Sequence, residues 1–208
     1  MVIRALAVIT AGYLLGNLNG AVLLSRWLAH DDVRRHGSGN AGFTNFCRNY
    51  GGLTGLLVFL IDAAKASLAV WLGRYLFAPL GLGLEGAALA SVAVGLGHDF
   101  PALFGFHGGK GIVCGLASAL VMDWRVGLVA LGTFLVVYLI TRYVSLGSIT
   151  GAVALFASFA LWHCDRVWAV VGCGVMCLLA IGMHRDNIQR LIHGTERKTD
   201  FFKKERRQ

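Results

Sequence analysis

Charge is the scarcest property of this 208-residue chain: Asp, Glu, Lys and Arg together make up 14% of it. A soluble domain carries nearer ~25%, because its surface must be solvated, so an ordinary soluble domain is excluded. Only two prolines occur and low-complexity sequence is scarce, which excludes collagen-like and disordered chains. No CxxC pair exists among Cys47, Cys114, Cys164, Cys173 and Cys177, which argues against a disulfide framework or a thiolate metal site. Cys173 and Cys177 share a helical face and read as small hydrophobes. No GxxxxGK[ST] loop occurs, so a nucleoside triphosphate is not implied.

What the chain has is apolar residues, 56% by the AVILMFWYC class, with a mean hydropathy of +0.65. A membrane-crossing helix needs roughly 20 such residues. Seven apolar stretches occur, near 3–28, 53–78, 82–97, 111–122, 125–141, 147–163 and 166–182. Ile112 to Met122 is short, and the stretch at 82–97 carries Glu85 near its start. The expected fold is an all-α integral membrane protein of about seven transmembrane helices. Five crossings with 82–122 as a re-entrant hairpin is the alternative. Arg4 and the run Ala5–Leu15 imitate a signal peptide, but apolar character resumes at Ala21–Leu24, so a retained helix is expected.

The net charge is +8, which in a soluble chain would suggest nucleic acid. Here the basic residues fall between apolar runs and in the tail, so no nucleic-acid partner is expected. Eight of the 19 Lys and Arg lie in residues 184–208, with four acids. Basic residues prefer the cytoplasmic side. With seven crossings and the N-terminus outside, Arg26, Arg34, Arg35, Arg48, Lys110, Arg142 and those eight lie inside, against Arg4, Arg74, Arg125 and Arg166 outside. The expected C-terminus is therefore cytoplasmic. Glycines at small-xxx-small spacing, as in Gly12–Gly16–Gly20 and Gly51–Gly55, predict close helix contacts.

Four donor-rich stretches then fall on the inside. Gly37 to Arg48 combines glycines with Ser38, Asn40, Thr44, Asn45 and an arginine, the equipment for an oxyanion or phosphate. A helix-capping loop is the plainer reading, and composition leaves both open. Gly97-His98-Asp99-Phe100-Pro101 precedes Gly108-Gly109-Lys110-Gly111, where a glycine-rich turn opens a helix and can aim backbone N–H groups at an anion. Thr141 to Ser148 holds an arginine with Ser145 and Ser148. His184 to Arg190 puts His184, Asn187 and Leu191 on one helical face, followed by Gly194-Thr195-Glu196. Asp62 and Lys65 lie inside an apolar stretch, where unpaired charge costs several kcal/mol. They either pair with each other, three residues apart, or present Lys65 to the polar site.

In this order these stretches, together with Asp62-Ala63-Ala64-Lys65, resemble the bacterial acyl-phosphate:glycerol-3-phosphate acyltransferase family (PlsY) from about residue 10 to 198. Departures are Ala41 where proline is usual, Phe43 where alanine is frequent, and Cys114–Gly115 where alanine and threonine are common; none removes a charged or donor group. The resemblance implies a seven-helix enzyme of the bacterial cytoplasmic membrane, with its active site facing the cytoplasm. It would move a fatty acyl group from acyl phosphate to the 1-hydroxyl of glycerol 3-phosphate, giving lysophosphatidic acid and phosphate, the first step of phospholipid synthesis. Absence of an HxxxxD motif fits a family that uses neither acyl-CoA nor acyl carrier protein.

By the same resemblance Ser38, Arg48, Lys110, His184 and Asn187 are the expected catalytic residues. Asn40, Gly42, Thr44, Asn45, Lys65, His98, Gly108, Gly109, Gly111, Ser145 and Ser148 are expected to bind substrate. No metal and no cofactor is expected, membrane lipid is the surrounding partner, and a monomer is expected. The domain would run over residues 1–198, with 199–208 a basic cytoplasmic tail lying against lipid. A small anion or phosphate channel would also gather cationic donors on one side, but it should show a polar path outward, and the outer loops are short and apolar.

Overall fold

A computed structural model describes residues 1–199 of the chain; of the expected basic tail, all but Thr199 lies outside the described residues. The described chain forms ten α-helices and no strand: α1 (Val2–Asn17), α2 (Gly20–Ala29), α3 (Phe43–Tyr50), α4 (Gly52–Phe77), α5 (Gly83–Asp99), α6 (Ile112–Met122), α7 (Trp124–Thr141), α8 (Val144–Trp162), α9 (Val167–Met183) and α10 (Arg185–Ile192).

Five segments are long and apolar enough to cross a membrane: Val2–Ala29, Gly52–Leu80, Gly83–Phe104, Trp124–Thr141 and Val144–Trp162. The α9–α10 pair, bent by 56°, makes a sixth if counted as one span. The expected seven exceeds this because α6 has only 11 residues, about 16 Å at ~1.5 Å per residue, against a hydrocarbon core of ~30 Å. Outward-facing side chains are those a soluble protein hides: Leu60, Leu128, Leu139 and Leu178 are all more than half exposed. Asn17, Asn19, Asp62, Lys65, His98 and Asp99 are buried instead. Lipid surrounds such a protein, and its polar groups gather inside.

Small residues set the helix spacing. Gly12 and Gly16 of α1 lie against α5, where a Cβ on Gly16 would come within 2.4 Å of the Val94 carbonyl oxygen. Gly73 of α4 and Gly86 of α5 face each other with equal intimacy, each blocked by the other's carbonyl oxygen at 2.2–2.3 Å. Gly20 meets Val58 and Ile61 of α4, and Gly55 meets Cys47, whereas Gly51 (φ +95°) faces open space and serves the turn into α4.

Ion pairs gather at one end of the bundle. Arg74 of α4 donates to the Val121 and Met122 carbonyls of α6. Asp123 caps α7 and pairs with Arg125 (2.7 Å) and His163 (3.0 Å). Arg166 pairs with Glu85 (2.9 Å). The last turns of α4, α6 and α8 thus share a level with the first turns of α5, α7 and α9. At the opposite end lie the loops of residues 30–42 and 100–111, the start of α8, α10 and the segment 194–199. Arg34 staples the two loops together, donating to the Phe104 and His107 carbonyls. Hydrogen bonds from Arg34 and Arg26 hold the Asp32 carboxyl well below the usual range against the opposing effect of burial.

Candidate active site

One cavity of about 540 Å³ opens at the loop end and runs between α5, α6, α7, α8 and α9. Its inner part is apolar, walled by Ala119, Leu131, Phe134, Leu155, Met176 and their neighbours. Its mouth is polar. Of the sequence-expected residues, Ser38, Asn40, Gly42, Thr44, Asn45, Arg48, His98, Lys110, Gly111, Ser145, Ser148, His184 and Asn187 all line it. Residues from five separate stretches of chain are thereby brought to one place.

Their tasks differ. Asn45 is fully engaged with the loop: its amide nitrogen donates to the Val33, His36 and Asn40 carbonyls, and its oxygen accepts from the Ser38 N–H at 3.0 Å. It shapes the Ser38–Asn40 turn and has no donor left over for a ligand. Gly37, at φ +61°, has its Cα turned toward that same oxygen, where a Cβ would lie 2.3 Å away. Ser38 is exposed at the rim. Arg48, on the last turn of α3, donates to the Thr199 hydroxyl.

Across the mouth, Lys110 donates to the Asn187 amide oxygen. Glu196 organises this side: one oxygen accepts from Ser145 (2.7 Å) and Asn187 (2.6 Å), the other from Arg190 (2.7 Å). Burial raises the pKa of Glu196, but those three hydrogen bonds outweigh it and hold the group below its ordinary value. Glu196 was named in its motif but not among the expected site residues, since nothing in linear order says that it reaches back to α8. Burial and then the Arg190 charge push Lys110 down to about 8. His184 sits at the α9–α10 bend with Nδ1 2.7 Å from the Ala180 carbonyl oxygen. A carbonyl can only accept, so Nδ1 carries the hydrogen and Nε2 keeps its lone pair in the neutral ring.

Three of the expected features lie off the cavity lining or in unexpected company. Lys65 does not line the cavity. Its ammonium is 2.8 Å from Asp62, 2.9 Å from His98 Nδ1, and donates to the Gly16 and Leu18 carbonyls that end α1. A buried lysine spends its donors on a carboxylate and on helix-end carbonyls because hydrocarbon offers it nothing else. Gly108 and Gly109 do not line the cavity either. They fold over His98 and Asp99, donating to those two residues' carbonyls, and a Cβ on Gly109 would lie 2.0 Å from His98 Nε2. Their smallness serves packing. The start of α6, expected to face an anion, has the Asp99 carboxyl group beside it, whose Oδ1 would stand 3.2 Å from a Cβ on Gly111. Asp99 lines the cavity, is 2% exposed, and its Oδ1 has no hydrogen-bond partner among the described residues. An unsatisfied buried acceptor in a substrate-sized cavity is a signal visible only in three dimensions.

Asp62, His98 and Cys114 bring an oxygen, a nitrogen and a sulfur within 4.8 Å of one another. The Lys65 ammonium already contacts the first two and supplies the positive charge there.

A helical bundle with outward apolar faces and one cavity that joins a cationic, donor-rich mouth to an apolar interior defines a class: an integral membrane protein with an internal site. The comparisons name the family within that class. Residues 6–194 match the family model described as glycerol-3-phosphate acyltransferase. A glycerol-3-phosphate acyltransferase of Thermoanaerobacter pseudethanolicus is 40% identical over 195 residues, covering 92% of this chain and 95% of the relative. One of Ralstonia pickettii is 38% identical over 195 residues, covering 93% of each. The crystal structure of PlsY (YgiH), an integral membrane glycerol 3-phosphate acyltransferase, in its glycerol 3-phosphate form superposes with a TM-score of 0.85 at 33% identity, covering 94% of this chain and 96% of that one. Its lysophosphatidic acid form gives 0.81 at 32% identity, covering 95% and 96%. The chain belongs to the glycerol-3-phosphate acyltransferase family, and it is a membrane acyltransferase.

Proposed function

We propose that this enzyme transfers a fatty acyl group from acyl phosphate to the 1-hydroxyl of glycerol 3-phosphate, releasing lysophosphatidic acid and inorganic phosphate. The observation that carries the reading is the single cavity that joins Arg48, Lys110 and Asn187 at its mouth to an apolar interior. Both substrates carry phosphate and one carries a chain, so one continuous space with those two characters serves both. The glycerol oxygen attacks the acyl carbonyl carbon, the bond from that carbon to the phosphate oxygen breaks, and phosphate departs. Phosphate is a good leaving group, so no covalent enzyme intermediate is required. Binding two anions side by side, with N–H and O–H donors for the developing oxyanion, is the main work.

Arg48 and Lys110 hold the phosphates, with the donors of Ser38, Asn40 and Thr44 around them and Ser148 deeper in the wall. Asn187 and Ser145, fixed by Glu196, keep the Lys110 side in place. Phosphates only accept hydrogen bonds, whereas glycerol hydroxyls also need acceptors. His184 Nε2 and the unpartnered Asp99 oxygen supply them. The 1-hydroxyl proton passes to the departing phosphate or to His184; burial and then the Lys110 charge push His184 down to about 4, which makes the phosphate the stronger base of the two.

The experiment offers purified enzyme labelled glycerol 3-phosphate with acyl phosphate, acyl-CoA or acyl-loaded carrier protein. Product is expected from acyl phosphate alone; equal turnover with acyl-CoA overturns the donor assignment.

The site faces the cytoplasm of a bacterial cell, from seven crossings in the cytoplasmic membrane, with the N-terminus outside. Support comes from the basic asymmetry of the sequence and from the course of α6, which begins beside Asp99 at the loop end and ends under Arg74 at the ion-paired end. Exposed Cys164 lies at the ion-paired end and exposed His107 at the mouth. A membrane-impermeant maleimide should label Cys164 in spheroplasts and, in a Cys164→Ala background, a His107→Cys variant only in inverted vesicles. The reverse pattern rules this orientation out.

A further inference from the structure

The apolar part of the cavity has an end. Its deepest lining residues are Ala88 of α5, Met122 of α6, Phe159 of α8 and Cys173 of α9, and these four belong to one packed cluster of buried residues. Phe159 is the largest of them and 1% exposed. Its ring lies 4.7 Å from that of His163, and His163 is held by Asp123, which also pairs with Arg125. Arg74 covers the end of α6, and Arg166 with Glu85 closes the gap between α9 and α5. Beyond Phe159 there is thus a collar of ion pairs that a methyl terminus cannot enter without stripping charges of their partners.

We infer that Phe159, backed by His163 and Asp123, is the floor of the acyl site and sets the longest chain the enzyme accepts. The inference rests on the acyl-phosphate reading above. The available depth follows from helix geometry. Ser145 and Ser148 at the polar end stand fourteen and eleven residues before Phe159 on the same helix, which at ~1.5 Å per residue is roughly 16–21 Å. From Cys173 of α9 to His184 just past its end is eleven residues, again about 16 Å. A carbon–carbon bond of about 1.5 Å at a near-tetrahedral angle advances about 1.25 Å along an extended chain. The space therefore takes about 13–17 carbons, and chains of about 16 are the longest that lie extended without pressing on Phe159.

The test measures kcat/KM for acyl phosphates of 10 to 20 carbons with the wild-type enzyme and with Phe159→Leu and Phe159→Ala. For the wild type, values should hold to about 16 carbons and then fall about tenfold for each further pair, since two methylenes left without a place lose their burial. Both substitutions should move the break outward, Phe159→Ala by about two to four carbons, and Phe159→Trp should move it inward. The readout is the ratio of long- to short-chain rates within each variant, which a general loss of folding or activity does not alter. If Phe159→Ala fails to accumulate, Phe159→Leu and Met122→Ala carry the same comparison. A wild-type profile without a break, or a break that no floor variant moves, means that the chain leaves the bundle sideways into lipid, and the inference is wrong. Absence of product from any acyl phosphate overturns the donor reading itself, an outcome distinct from a flat profile.

Discussion

Replacing Arg48 or Lys110 with alanine should lower kcat/KM for glycerol 3-phosphate by at least ten- to a hundredfold while the protein still inserts and purifies. The two cations approach the cavity mouth from opposite sides, Arg48 from the end of α3 and Lys110 from the loop before α6. A charge-assisted hydrogen bond is worth about 1.5–3 kcal/mol, which sets that minimum. Arg48→Lys should recover only part of the loss, because a point charge replaces a planar fork of donors.

Lys110 adds a pH signature. With its pKa lowered to about 8, it is charged below that pH and loses its proton above it. A phosphate monoester becomes a dianion above about pH 6. KM for glycerol 3-phosphate should therefore be lowest between roughly pH 6 and 8 and rise on the alkaline side. Lys110→Arg, which stays charged, should remove the alkaline rise. Steady-state kinetics across pH 5–10 decide the matter. Lys203→Ala with Lys204→Ala, in the segment outside the described residues, is the control and should change activity little. An essential tail pair with a dispensable Arg48 and Lys110 would place the phosphate site elsewhere.

The largest structural loss should come from Gly97→Val. A Cβ at that position would stand 2.2 Å from the Tyr13 carbonyl oxygen and 2.9 Å from the Gly16 Cα, both backbone atoms that cannot swing aside. The substitution must push α1 from α5. Overpacking in a well-fitted core typically costs about 1–3 kcal/mol, and here the displacement also disturbs what the crossing positions. The Tyr13 bond to the Phe100 carbonyl spans it, and the Lys65 bonds from α4 end on the Gly16 and Leu18 carbonyls of the same α1 segment. Stripping a buried charge of its partners costs about 3–5 kcal/mol more. Thermal unfolding in detergent should show Gly97→Val as strongly destabilised or absent from the membrane. Gly132→Ala, where a Cβ meets nothing within 4 Å, should be neutral or slightly stabilising. Equal stability of the two variants would mean that α1 and α5 are not locked at Gly97.

Gly16 and Gly97 show how much of this packing could be read in advance. The small-residue spacing of Gly12–Gly16–Gly20 announced close contact but not its partner, since α5 lies some eighty residues further along the chain. The Asp62–Lys65 question was posed correctly by their three-residue spacing in an apolar run. Its answer needed the carbonyls at the end of α1, which take up the remaining lysine donors. Asn45 reads in the sequence as a substrate donor and is consumed by its own loop, because an amide beside a tight turn satisfies the nearest carbonyls first.

Membrane residence, helical class, the positions of the apolar stretches and the order of the donor-rich motifs were set by the sequence alone. Each is a property of local composition: a window too apolar for water, or donors too dense for lipid, needs no knowledge of neighbours. The family followed from that order, and the matching relatives bear it out. The tertiary structure alone decided that Glu196 ties Ser145, Asn187 and Arg190 together, that one Asp99 oxygen has no partner among the described residues, and that Phe159 stops the cavity. Those outcomes depend on which helices touch and at what height, and contacts made across a hundred residues of chain leave no periodic trace in any one stretch of it.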